Sequence, residues 1–508
     1  MNAVLPRFDN KMSDAEGLMW RLEKDPFLAS TFGNITILDS PPNFEVFTRR
    51  MERASIVIPR LRQRVQPAPA SLGPPMWVDD PEFDIHHHVR HIALPIPGSI
   101  RQLLDLAMLI VADAFDRSRP LWQFIVVDGL AGGKSALIQK LHHAITDGEG
   151  GVALSMQFLD LERNAPEPPP VTHIESSLPA SGTSYDASNL LRSSMADAMR
   201  APLGLLRQIR DVISDPAQLP KRGAETTAMV RSLMAQFGEV DAARSPLWTR
   251  RSLQRRLEIL RTPYQPMRDA SRALGGKINT GFITAAADAA GRYHRELGNP
   301  VESLRTSMAI STRTANSGGN AFSLVRILVP TSDMPIGERF AAINESVGQA
   351  LRSAKSATLD TLATVSSAIP TSVLTRLART QSQTVDFATS NVRGAGVALY
   401  IAGAQMLENY PIGPLGGVAF NLTLLSYNHS LDMGLNIDTA AVAQPDLLRI
   451  CIEQSLADLL AAAPPSTSLP APTLQRPGAW AKFTTRLKKL RSRLATNEHQ
   501  VTSRQLRR

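Results

Sequence analysis

Leu141-His142-His143-Ala144-Ile145-Thr146-Asp147-Gly148 sits where an apolar run ends and a glycine-rich turn begins. Upstream, residues 135–141 (SALIQKL) have the length and apolar content of a buried strand, bounded by the turn signal Ala131-Gly132-Gly133. Downstream, Gly148-Glu149-Gly150-Gly151 leads into a short helical pattern over 152–161. The two histidines therefore lie at a strand-to-helix junction, where a scaffold holds a side chain rigidly and still shows it to substrate.

Successive side chains on a strand point to opposite faces, so His142 and His143 do not share one small site if the strand runs through them. One is expected to work and the other to support it. An imidazole with a reference pKa of about 6.5 takes and returns a proton near neutral pH, which suits a general base. Asp147 has three readings at this point: orienting an imidazole, pairing with an arginine, or capping the next helix. Gly148 lets the backbone turn tightly beside it. A packed or solvated strand end is the bland alternative for the pair. A metal site has little behind it, because adjacent histidines diverge, no HExxH helix is present and no second His/Cys cluster has ligand spacing.

HHAITDG resembles the HHxxxDG motif of CoA-dependent acyltransferases. Its surroundings resemble the bacterial wax ester synthase/diacylglycerol acyltransferase family, because Pro120-Leu121-Trp122 opens a segment ending Asp128-Gly129-Leu130, similar to that family's PLWxxxxxDGL block. HHxxxDG alone also fits peptide-synthetase condensation domains. Further likeness falls at Met12-Ser13-Asp14-Ala15-Glu16, which makes Met12 an alternative start to Met1, and at Ser390-Asn391-Val392-Arg393-Gly394. The resemblance covers about 12–463 and is weakest across the middle.

Bulk properties agree with a folded protein. The 508 residues leave room for two or more domains, and 43% hydrophobic against 20% charged residues is a globular balance. The one cysteine, Cys451, excludes an intramolecular disulfide and lies in an apolar helical pattern, so it reads as a buried structural thiol. A net charge of +9 favours an anionic partner such as CoA phosphates or anionic lipid. Nucleic acid is not expected, since no binding motif accompanies the charge. The N-terminus lacks the apolar core of a signal peptide, and the longest weakly polar run, 394–407, is too short to span a bilayer.

In order along the chain, 32–38 reads as a strand, 43–58 and 99–115 as helices, and 121–127 as a strand turning toward the histidines. His86-His87-His88 and His91 read as a solvated extended segment, whose alternation leaves too few ligands together for a metal. A Pro-rich stretch from Pro166 opens a linker and a helical insert. A second half follows, in which 277–283 precedes a helix over 284–293 and Ser307-Met308-Ala309-Ile310-Ser311-Thr312-Arg313 ends a strand in a polar turn. Asn279 occupies the place of the family's NDV-type block, where an asparagine is thought to line the catalytic chamber. Thr280 and Gly281 depart from it, and a helix N-cap is the alternative reading of Asn279. In the tail, Trp480, Phe483, Leu487, Leu490 and Leu494 share one helical face among lysines and arginines, the pattern of an interfacial helix or of one docking on its own domain.

The resemblance implies an α/β fold of two chloramphenicol-acetyltransferase-like halves with the active-site channel between them. The expected division is an N-terminal half with the motif (1–160), a linker and helical crossover insert (161–265), a C-terminal half (266–463) and a basic amphipathic tail (464–508). The implied activity moves a long-chain acyl group from acyl-CoA, as co-substrate and with no resident cofactor or metal, to diacylglycerol or a long-chain alcohol. His143 is the implied base, His142 shapes the site, and Asp147 with Gly148 is mainly structural. Arg313 is the implied partner of Asp147; Pro120, Leu121, Trp122, Asn279, Ser390 and Asn391 are substrate-binding or structural. The expected location is cytoplasmic, at a membrane or lipid-droplet surface through the tail. A carrier-protein-bound donor and a non-catalytic lipid-binding relative are the alternatives; acceptor and chain length are not legible.

Overall fold

The computed structural model describes residues 10–67, 75–145, 151, 154–168, 243–311, 322–353 and 371–462. Helix α1 (Asp14–Leu22) begins at a capping box, with the Ser13 hydroxyl accepting the Glu16 N–H and the Glu16 carboxylate accepting the Ser13 N–H. Strand β1 (Thr31–Leu38) and helix α2 (Phe44–Val57), capped by Asn43, follow. β2 (Gln63–Gln66) and β3 (Met76–Asp79) form a separate ribbon. A one-turn helix α3 (Ile85–His88) leads into β4 (Val89–Ala93), and α4 (Ile100–Ala112) starts at a Ser99–Gln102 capping box. The hairpin β5 (Trp122–Leu130) and β6 (Lys134–His142) and the short β7 (Leu159–Asp160) complete this part.

The second half contains β8 (Arg255–Pro263), α5 (Tyr264–Ala273), α6 (Ile278–Glu296), β9 (Ser303–Ser311) and β10 (Phe322–Pro330). Then come α7 (Ile336–Ser353), α8 (Thr371–Ser382), β11 (Phe387–Arg393), β12 (Tyr400–Ile401) and β13 (Ala404–Ile412). β14 (Phe420–Tyr427), β15 (Ser430–Asp438) and α9 (Pro445–Ala461) end it. One sheet runs β4-β5-β6-β1-β13-β12-β7, the other β10-β9-β11-β14-β15-β8.

The first sheet is covered on both faces, which is why β6 buries side chains on each of them. Leu137 and Leu141 face a cluster with Phe47 and Trp122, while Ala136 and Ile138 face Leu103 and Ala107 of α4. In the second half α6 and α9 pack over the other sheet, with Cys451 buried among them. Burial pushes the Cys451 thiol up to about 11, in keeping with a structural role.

Several sequence expectations need correction. The helix expected over 284–293 begins at Ile278, and Lys277 is its N-cap, so Asn279 lies inside the first turn and is not the cap. Strand β8, within the stretch assigned to the insert, pairs antiparallel with β15 at the edge of the second sheet. Strands β12 and β13 belong by sequence to the second half, yet β13 pairs with β1 in the first sheet. The seam this creates is tight: a Cβ on Gly434 would lie 1.9 Å from the Pro411 carbonyl oxygen. Beside it the Asn409 N–H donates to Asp432 at 2.8 Å. Burial holds the Asp432 carboxyl above its usual range despite hydrogen bonds from Ser430 and Asn409 and the Arg261 charge.

Candidate active site

The two histidines are held by opposite neighbours. The His142 N–H donates to the Leu121 carbonyl at 3.1 Å, and the His143 N–H donates to the Ser30 carbonyl at 3.1 Å. A turn closes behind them through the Ile145 N–H to the His142 carbonyl, 3.0 Å. Their side chains diverge as the strand period requires. His142 is fully buried. His143 is half-buried, with its ring 4.5 Å from that of Phe32.

Both nitrogens of His142 are engaged. Its Nδ1 accepts the Ala144 N–H at 2.9 Å, and its Nε2 faces the Glu23 carboxylate. Because a backbone N–H only donates, Nδ1 carries no proton, and the ring proton sits on Nε2. Glu23 lies just past α1, where Thr31 Oγ1 donates to it at 3.2 Å and Arg117 stands 4.0 Å away. Burial works to raise its pKa, but the hydrogen bond from His142, with the Arg117 charge and the Thr31 hydroxyl, outweighs it and leaves the carboxyl below its usual range. On the same strand face, burial lowers the pKa of Lys140, whose ammonium lies 4.3 Å from the centre of the Phe115 ring.

The PLW block supports this strand from within the core. Pro120, Leu121 and Trp122 are buried, and Trp122 Nε1–H donates to the Leu61 carbonyl at 2.8 Å. Their burial places these side chains in packing contacts within the core. His88 stacks on Trp122 at 4.6 Å and on Phe83 at 5.3 Å, and its Nδ1–H donates to the Trp122 carbonyl at 2.7 Å. The extended reading of His86-His87-His88 is therefore overturned, and the solvated one with it for His88, while His86 stays exposed. Asp84 caps the segment by accepting the His86 N–H, which starts a helical turn and swings His88 into the core. His91 pairs with Asp128 at 2.6 Å instead. Among the described residues no group of three or more His, Cys, Asp or Glu side chains is arranged to hold a metal.

Burial pushes the His88 pKa down to about 4. The unfolded chain, with a histidine pKa of about 6.5, then binds this proton more readily, so stability is full above pH 6.5 and falls as pH drops toward 4. Between pH 7 and pH 4.5 the expected loss from this one group is roughly 2–3 kcal/mol. Urea denaturation at the two pH values should show that much less acid sensitivity in His88→Phe than in the parent. Equal sensitivity would remove His88 as the cause.

On the second sheet, Asn391 Nδ2 donates to Asn279 Oδ1 at 3.3 Å, so two residues singled out from sequence meet, with Ser390 half-buried beside them. The chain beyond β11 carries Ala395 and Leu399 into the cluster that contains Leu141, Ala144 and Ile145. The departures at Thr280 and Gly281 have a packing reason. Thr280 Oγ1 donates to Asn344 of α7 at 3.0 Å, and a Cβ on Gly281 would lie 2.5 Å from Ser271 Oγ of α5. Asp147, Gly148 and Arg313 lie outside the described residues, as do Trp480, Phe483, Leu487, Leu490 and most of the insert. Glu23 was not legible as a site residue, because nothing around it in sequence links it to His142.

The chain matches the family model described as the wax ester synthase/diacylglycerol acyltransferase catalytic domain over residues 12–282. The WS/DGAT C-terminal domain model matches residues 318–460. A putative diacylglycerol O-acyltransferase of Mycobacterium tuberculosis is 31% identical over 477 residues, covering 92% of this chain and 95% of the relative. A probable diacylglycerol O-acyltransferase of the same organism is 26% identical over 461 residues, covering 88% and 94%. Among solved structures, the wax ester synthase/diacylglycerol acyltransferase from Marinobacter aquaeolei superposes with a TM-score of 0.60 at 22% identity, covering 89% of this chain and 99% of that one. The starter condensation domain of rhizomide synthetase gives 0.53 at 13% identity, covering 89% and 94%. The architecture is accordingly the expected α/β one of two chloramphenicol-acetyltransferase-like halves.

Proposed function

The chain belongs to the wax ester synthase/diacylglycerol acyltransferase family, and from that premise we propose that it moves a long-chain acyl group from acyl-CoA to the hydroxyl of diacylglycerol or a long-chain alcohol. The observation that carries the assignment of roles is the contrast between the two histidines. His142 has both ring nitrogens committed inside the core, whereas His143 is half-exposed at the end of the strand. His143 takes the proton of the acceptor hydroxyl as the oxygen attacks the thioester carbonyl. The tetrahedral intermediate then collapses, the C–S bond breaks, and the leaving CoA thiolate takes the proton back. The thioester is already activated, so no covalent nucleophile and no resident cofactor is required.

Asn279 is the proposed donor to the developing oxyanion. Its carbonyl accepts from Asn391, and its own amide N–H pair is the proposed donor group. Asp147 and Arg313 are proposed to brace the motif as an ion pair. Thr280 and Gly281 are accounted for by helix packing and give no support to a non-catalytic reading. Among the described residues no helix is long and apolar enough to cross a membrane. Contact with a lipid surface is proposed for the basic tail around Trp480, Phe483, Leu487 and Leu490, at the cytoplasmic side.

Thiol release from palmitoyl-CoA, measured with purified protein and with dipalmitoylglycerol or hexadecanol offered separately, tests the reading. Acceptor-dependent release with ester product is expected, and the better acceptor names the physiological class. Release that neither acceptor stimulates would sink the proposal.

A further inference from the structure

We propose that Glu23 is a positioning residue for the catalytic turn, acting through His142. The inference rests on the assignment of His143 as base. His142 bridges two partners, with Nδ1 accepting the Ala144 N–H at 2.9 Å and Nε2 facing Glu23. Ala144 directly follows His143, so the bridge fixes the backbone that carries the base. The arrangement works in one tautomer only. A proton on Nδ1 would point at the Ala144 N–H, two donors facing each other, and the turn would have to shift. A carboxylate at Nε2 selects the Nε2–H tautomer and prevents that.

Glu23 is itself placed by both halves of the molecule. Thr31 Oγ1 donates to it at 3.2 Å, and Arg117, 4.0 Å away, lays its guanidinium over Trp20 at 4.0 Å. From the second half, Arg21 Nε donates to Thr371 Oγ1 of α8 at 3.1 Å, and Arg379 of α8 sits 4.0 Å over the Phe27 ring and 3.5 Å from Asp25. The short segment between Arg21 and Phe27 is thus clamped by α8, and Glu23 lies in its middle. The posture of the second half therefore reaches His143 through Glu23, His142 and Ala144.

The test uses the full chain with Glu23→Ala and Glu23→Gln, read by kinetics and by nitrogen NMR of protein labelled on its 10 histidines, with His142→Gln supplying the assignment. In the parent, His142 should show an unprotonated Nδ1 and a protonated Nε2 at pH 7.5. Glu23→Ala should mix the tautomers and lower kcat about tenfold to a hundredfold with little change in KM, the scale on which partners that orient a functional histidine act. Glu23→Gln keeps an acceptor oxygen and should restore both the single tautomer and most of kcat. An alanine variant with unchanged kcat and unchanged His142 nitrogens overturns the proposal, and so does a parent His142 protonated on Nδ1, even if the alanine variant fails to fold. Absence of transfer by the parent would instead defeat the functional reading, while the nitrogen signals still decide whether Glu23 sets the tautomer.

Discussion

His143→Ala is expected to lower kcat by about 10²–10⁴-fold, the usual contribution of a general base, with the protein still folded. The His143 ring lies at the rim of the turn, half-buried against Phe32, so its removal leaves no buried charge behind. His142→Ala is the instructive contrast. It strips the mostly buried Glu23 carboxylate of its imidazole donor, and leaving such a group without its partner costs about 1–3 kcal/mol. Both substitutions should therefore lower kcat, but only His142→Ala should also lower the urea midpoint. Retention of more than about a tenth of parental kcat by folded His143→Ala would assign the base elsewhere.

Trp122→Ala is expected to destabilise the protein by about 3–5 kcal/mol, the range for emptying a buried aromatic site. Trp122 has no exposed surface, its indole N–H donates to the Leu61 carbonyl, and its ring supports His88 and Phe124. Deletion leaves a cavity and an unmatched buried carbonyl together. Trp122→Phe keeps much of the volume and should lose less, about 1–3 kcal/mol for the missing donor. Equilibrium urea unfolding gives both values. A loss in Trp122→Ala confined to the KM for acyl-CoA, with the midpoint unchanged, would return this residue to the substrate.

What was legible in the sequence is what local pattern determines. The apolar run over 135–141 and the turn before it located β6 to within a residue at either end, and the amphipathic pattern from Ser99 located the start of α4. The divergence of His142 and His143 followed from the strand period alone. The misses are of a different physical kind. His88 was read from alternation, but a cap at Asp84 turned the chain into a helical turn and delivered the imidazole to an aromatic cleft. Asn279 suited a cap by residue type, but the helix begins before it, and its partner Asn391 comes from a strand far along the chain. Glu23 meets His142 only through tertiary packing of α1, and no spacing rule reaches that far. Family likeness carried the assignment of His143 as base, because the physics of the isolated motif left either histidine in that role.

The pairing of β1 with β13 also sets a timetable for biosynthesis. Asn34 and Asn409, whose side chains hydrogen-bond across that pair, are 375 residues apart in the chain. At a translation rate of about 5–20 residues per second, β1 emerges from the ribosome roughly 20–75 s before its neighbour exists. Through that interval the nascent first sheet has an open edge in its middle, with an apolar strand ready to accept any passing partner. The half that carries the histidines cannot finish folding until β13 has been made, so a nascent chain truncated before β13 is an aggregation hazard instead of a smaller working enzyme.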